Sequence, residues 1–175
     1  MNMAKQKTEP KPRQTELPPL VADFDTLLIR LGKKVDRTKL QKAMKMLKAD
    51  RFQLFAEVSD TSVSGIVKSQ TDNDLIYACW LDRNGRYACC TQNLNVCGGL
   101  RGGACKHILV LIIGLAKSNK LDLGKVDSWA GQTRYRKAEL HKDFMSGTLL
   151  RYKEAEAGDI DWRPTETVPE DYYAV

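Results

Sequence analysis

The chain has 175 residues, with 42% hydrophobic and 29% charged, the balance of a globular protein with one modest core. No apolar stretch reaches the ~18–20 residues of a membrane-spanning helix, and the N-terminal segment has no apolar signal core, so the sequence predicts no membrane association and a reducing, cytoplasmic setting. The net charge of +6 favours an acidic partner, either nucleic acid or an acidic protein face.

The six prolines mark the ends: Pro10, Pro12, Pro18 and Pro19, then Pro164 and Pro169. Residues 1–19 read as a disordered basic leader and 159–175 as an acidic tail. That tail holds five acids and one base, a net of −4, which leaves +10 on the rest of the chain. Between the ends the sequence divides into an N-terminal helical region (20–51), a central unit (52–120) and a C-terminal helical region (121–158).

The first helix is predicted at 21–31, where Phe24, Leu27, Leu28 and Leu31 share one face and Gly32 stops the run. A second starts after Asp36, a good N-cap, and buries Leu40, Ala43, Met44 and Leu47. On its more polar side Lys39, Lys42, Lys45 and Lys48 recur every third residue. Such a row is either solvated surface or a track for phosphates.

Strands are predicted at 52–58, 63–68, 75–81 and 87–90, each short, rich in β-branched and aromatic residues, and bounded by turn residues. Asp82-Arg83-Asn84-Gly85 is the clearest turn, because Asn-Gly tolerates positive φ. An apolar helix at 108–116 follows, and Gly114 within it implies a close crossing. A last helical region is expected from Ser128, capped by Asp127, to Met145, with Gly147 interrupting it and further turns over 149–156. The predicted fold is α+β: a small antiparallel sheet of three to four strands with a stapled hairpin, flanked by helices.

All five cysteines lie between Cys79 and Cys105. Cys89, Cys90, Cys97, Cys105 and His107 fall in one stretch, and Cys105-Lys106-His107 stands at the start of the apolar helix. That helix start aims two ligands at one ion and favours a thiolate. Gly98, Gly99, Gly102 and Gly103 permit the bend that returns Cys97 to the same ion. Four soft or borderline ligands suit structural Zn2+. Neighbours on a strand face opposite ways, so only one of Cys89 and Cys90 can join. Cys90, nearer the loop, is preferred, giving Cys90, Cys97, Cys105 and His107. Cys79 reads as a core residue.

The C-x-H element leading into Ile108-Leu109-Val110-Leu111-Ile112 resembles the C-terminal half of a SWIM zinc finger. Ser64-Gly65-Ile66-Val67 and Ile76–Leu81 resemble the strands that enter it, and the similarity covers 52–117. That family pairs its first cysteines as C-x-C. Here the cysteines are adjacent (Cys89, Cys90) or separated by six residues (Cys90, Cys97). The resemblance implies a zinc-holding module that binds DNA or protein.

The expected role is a non-enzymatic zinc-binding subunit of a larger assembly, with a protein or nucleic-acid partner and no small-molecule substrate. Four protein ligands close the metal to substrate, and no phosphate-cradling loop is present. A redox role for Cys89-Cys90 lacks C-x-x-C spacing. Lys39, Lys42, Lys45, Lys48, Arg101, Arg134, Arg136 and Lys137 are the candidate partner contacts, with Tyr135 among them able to stack.

Overall fold

The computed structural model describes residues 20–49 and 51–173, with side chains described to 157. The predicted leader at 1–19 lies outside the described residues. The fold is α+β, as the sequence predicts. Two helices, α1 (Phe24–Lys34) and α2 (Arg37–Lys48), precede four strands, β1 (Gln53–Val58), β2 (Ser62–Lys68), β3 (Ile76–Asp82) and β4 (Tyr87–Thr91). Three helices follow: α3 (Lys106–Lys117), α4 (Leu123–Gln132) and α5 (Lys142–Tyr173). The sheet is antiparallel in the order β1-β2-β3-β4.

Alternation along the strands splits their side chains between two apolar layers. Val63, Val67, Cys79, Leu81, Tyr87 and Cys89 face the main core, where α3 lies. Nine residues of α3 are buried, including Ile108 to Ile113 without a break. Ile66, Ala78, Trp80, Ala88 and Cys90 face the other way and are covered by Met145 and Leu149 of α5. Gly65 lets α3 approach the sheet: a Cβ there would run into the Phe55 carbonyl and the Leu111 side chain. Gly114 sits against Gln53 and Leu47, so the predicted close crossing is present.

Four local expectations are corrected. Gly32 lies inside α1, which runs on to Lys34 and ends only where Val35 turns extended. Asp127 does not cap a helix. Asp122 caps α4, accepting from the Lys125 N–H at 3.0 Å, while Asp127 is buried in mid-helix and paired with Arg30 and Lys34 of α1 at 2.9 and 2.7 Å. The helical region also breaks after Gln132 into a 3-10 turn (Thr133–Tyr135) and an irregular segment before α5. Gly147 then fails to interrupt α5, because buried Met145 and Leu149 on either side hold that turn against the sheet and outweigh the ~1 kcal/mol helix cost of glycine. The backbone of α5 passes through Pro164 and Pro169 and takes in most of the segment read as an acidic tail.

Candidate metal centre

The centre is built by two turns of the same kind. At the β3–β4 turn the Gly85 N–H donates to the Asp82 carbonyl at 3.0 Å and the Asp82 N–H to the Arg86 carbonyl at 2.9 Å. Gly85 has φ +75°, so this is a three-residue loop with one left-handed residue, and Asn84 keeps negative φ. After β4 the pattern repeats: the Leu94 N–H donates to the Thr91 carbonyl at 2.9 Å, the Thr91 N–H to the Asn95 carbonyl at 2.9 Å, and Leu94 has φ +61°. Gln92 fastens this second turn to the start of β3. Its side-chain oxygen accepts from the Ile76 N–H and its amide donates to the Asp74 carbonyl, both at 2.8 Å.

The returning chain pairs Val96 with Cys90, and the Cys97 N–H donates to the Cys89 carbonyl at 3.0 Å. Residues directly opposite in an antiparallel pair project to the same face. Cys97 therefore joins Cys89 in the main core. This corrects the preference for Cys90, whose side chain lies across the sheet beside Trp80 and Met145. Proximity to the loop proved a poor guide, because strand alternation and not distance along the chain decides which thiol faces α3.

The remaining ligands arrive through the glycine loop. A 3-10 turn (Gly98–Leu100) starts at Cys97, whose sulfur accepts from the Gly99 N–H at 3.4 Å. Gly102 (φ +74°) and Gly103 (φ +134°) then reverse the chain, a path open chiefly to glycine. Cys105 is the N-cap residue of α3 and His107 lies in its first turn.

Cys89, Cys97, Cys105 and His107 are all buried, and their ligand atoms all lie within 4.8 Å of one another, as in a metal site. His107 Nδ1 is 3.5 Å from Cys97 Sγ, 3.9 Å from Cys105 Sγ and 4.0 Å from Cys89 Sγ. Tyr77 stacks on the His107 ring at 3.7 Å between centroids, fixing its plane. Cys79 stands opposite Cys89 with its sulfur 3.7 Å away, outside the group of four.

The thiols do not share charge equally. Hydrogen bonds from Cys105, then Cys89, with help from His107 and the Gly99 N–H, draw the Cys97 thiol far below the usual thiol range. Burial pushes the Cys89 and Cys105 thiols well above it. A cation that binds all three sulfurs has to displace the protons that burial favours on Cys89 and Cys105, so its affinity rises with pH.

The predicted contact residues separate. Lys39 and Lys42 line a cleft of about 490 Å³ beside the centre, together with Tyr77, Lys106 and His107. Lys45 and Lys48 are exposed, but each step of three residues turns back by about 60° on a helix, so Lys48 points about half a turn away from Lys39. Lys39 Nζ donates to the Arg101 carbonyl at 2.5 Å, which ties α2 to the glycine loop. Arg134, Arg136 and Lys137 are exposed on the segment after α4. Gly103 packs against Thr133 and the Arg134 backbone. The sequence reading missed the role of Asp127, for which only its position one turn after Leu123 was a signal.

Compared with known proteins, the chain matches no family model, no curated protein and no solved structure.

Proposed function

We propose that the chain is a structural-zinc module of SWIM type, without enzymatic activity, that works inside the cell as the binding subunit of a larger assembly. The observation that carries this reading is the convergence of three thiols and one imidazole nitrogen within 4.8 Å. A zinc tetrahedron with Zn–S of about 2.3 Å and Zn–N of about 2.0–2.1 Å has edges of roughly 3.5–3.8 Å. The separations between His107 Nδ1 and the three sulfurs, 3.5 to 4.0 Å, sit close to that shape. Thiolate-rich sites select zinc over the harder magnesium and calcium.

Four protein ligands leave no open position for a substrate, which supports a structural role. His141, the second of the two histidines, is exposed on the opposite side of the sheet, edge-on to Trp80. The zinc ties the end of β4, the glycine loop and the N-terminus of α3 into one rigid base. Arg101 and the flanking lysines are held out from it toward an acidic partner. Elemental analysis of the purified chain tests this: about one zinc per chain, kept in Cys90→Ser and lost in Cys89→Ser. A folded protein without metal overturns it.

A further inference from the structure

The segments that carry Lys42, Lys39, Arg101 and Arg134 touch one another in turn. Lys42 and Lys39 of α2 lead to Arg101 through the Lys39–Arg101 hydrogen bond, and the glycine loop then packs through Gly103 against Arg134. Beside Arg134 lies Tyr135, 72% exposed, with the Arg134 guanidinium over its ring at 4.6 Å. An exposed aromatic ring beside a cation is what a stacking base requires.

Tyr135 and Arg134 rim a cleft of about 250 Å³ lined also by Asp127 and Gln132. Asp127 is only 4% exposed. Its Oδ2 takes Arg30 and Lys34, while Oδ1 has no hydrogen-bond partner among the described residues. A buried acceptor left open is expensive, and a donor from a ligand would satisfy it. The amino group of a nucleobase is such a donor. Uracil and thymine offer only an imino group between two carbonyls, which repel a carboxylate.

We infer that this strip binds single-stranded nucleic acid, with phosphates along Lys42, Lys39 and Arg101 and one amino-bearing base stacked on Tyr135 with its edge toward Asp127. Single strand is favoured over duplex because the strip ends in an exposed ring and a cleft, where an unpaired base can stack. The inference rests on the binding role proposed above but not on the identity of the metal.

Fluorescence anisotropy on the full chain tests it, with labelled single-stranded DNA 12-mers of dA, dC and dT, a duplex of equal length, and poly-glutamate as an acidic polypeptide. The single strands should bind at least about tenfold tighter than the duplex. Tyr135→Ala should weaken single-strand binding by about five- to a hundredfold and leave duplex binding unchanged, while Tyr135→Trp restores it. Asp127→Asn should erase the preference for dA and dC over dT. Zinc content and thermal melts on the same samples separate misfolding from lost contacts. Equal affinity for single strand and duplex, or an unchanged Tyr135→Ala, overturns this inference and leaves the zinc module standing. Tighter binding of poly-glutamate makes the strip a protein-facing surface, and no binding of any probe removes the acidic-partner role as well.

Discussion

Cys89 and Cys97 stand opposite one another across the turn that follows β4, joined by the Cys97 N–H to Cys89 carbonyl bond at 3.0 Å. The backbone thus brings two of the four candidate ligands together before any metal arrives. The other two, Cys105 and His107, come from the start of α3. The glycine loop between these pairs has few apolar contacts apart from buried Leu100 and Ala104. A metal held by all four would tie this hairpin to the start of the helix.

Stripping the metal should therefore loosen one end of the sheet and the first turn of α3 together. With structural zinc contributing on the order of 10 kcal/mol of apparent stability, a chelator should lower the melting temperature by at least ~15 °C, and added zinc should restore it. Calorimetry with and without chelator checks this. Hydrogen exchange should place the faster amides at 96–108, with β2 and β3 little changed.

The legible part of this fold was the part governed by local pattern. Alternation at 63–68 and 75–81 and the unbroken apolar run of α3 report their own burial. The C-x-H pair was legible because both ligands sit in one helix start. Cys89 was not, because its membership depends on Leu94 adopting φ +61° and so setting the register of a turn with no Asn-Gly or Asp-Gly signal. Asp127 was misread for a related reason. An aspartate before Ser128 looks like a cap, but α4 already starts at the Asp122 cap, and Asp127 instead pairs with the distant cations Arg30 and Lys34.

Cys90 gives a pH signature of its own. Burial is the main cause that pushes its thiol up to about 11 from 9.0. The folded state thus keeps its proton where the unfolded chain gives it up. The associated stability is fully present below pH 9 and is lost as the pH rises from about 9 to 11, by on the order of 1–2 kcal/mol. Denaturant melts across that window should show the loss in the wild type relative to Cys90→Ala. At neutral pH, Cys90 should resist alkylation until the protein unfolds.

Two glycines packed closely against neighbours should respond differently to one added methyl. At Gly65 the new Cβ meets the backbone carbonyl of Phe55 as well as Leu111, and backbone in mid-sheet cannot move aside. Gly65→Ala should cost about 1–3 kcal/mol. At Gly114 the nearest atom is the end of the Gln53 side chain, which can rotate away, and alanine gains up to about 1 kcal/mol of helix propensity. Gly114→Ala should lie within about 1 kcal/mol of the wild type. Chemical denaturation of both variants decides, and equal costs would mean that α3 can shift away from the sheet.

The Asp127 pairings should be the largest single electrostatic contribution to docking α1 on α4. The carboxylate is 4% exposed, and Oδ2 accepts from Arg30 at 2.9 Å and Lys34 at 2.7 Å. Both cations keep some contact with water, 21% and 30% by side chain, so they can rehydrate when the acid is removed. Asp127→Ala should then cost about 2–3 kcal/mol, below the range for a pair buried on both sides. Asp127→Asn should cost less, since the amide keeps the shape and one acceptor. Arg30→Met and Lys34→Met should each cost less than Asp127→Ala, because either leaves the buried carboxylate with one cation. A double-mutant cycle between Asp127 and Lys34 gives the coupling directly, and a value near zero would mean that apolar packing around Leu27, Leu31 and Trp129 holds the two helices without the charges.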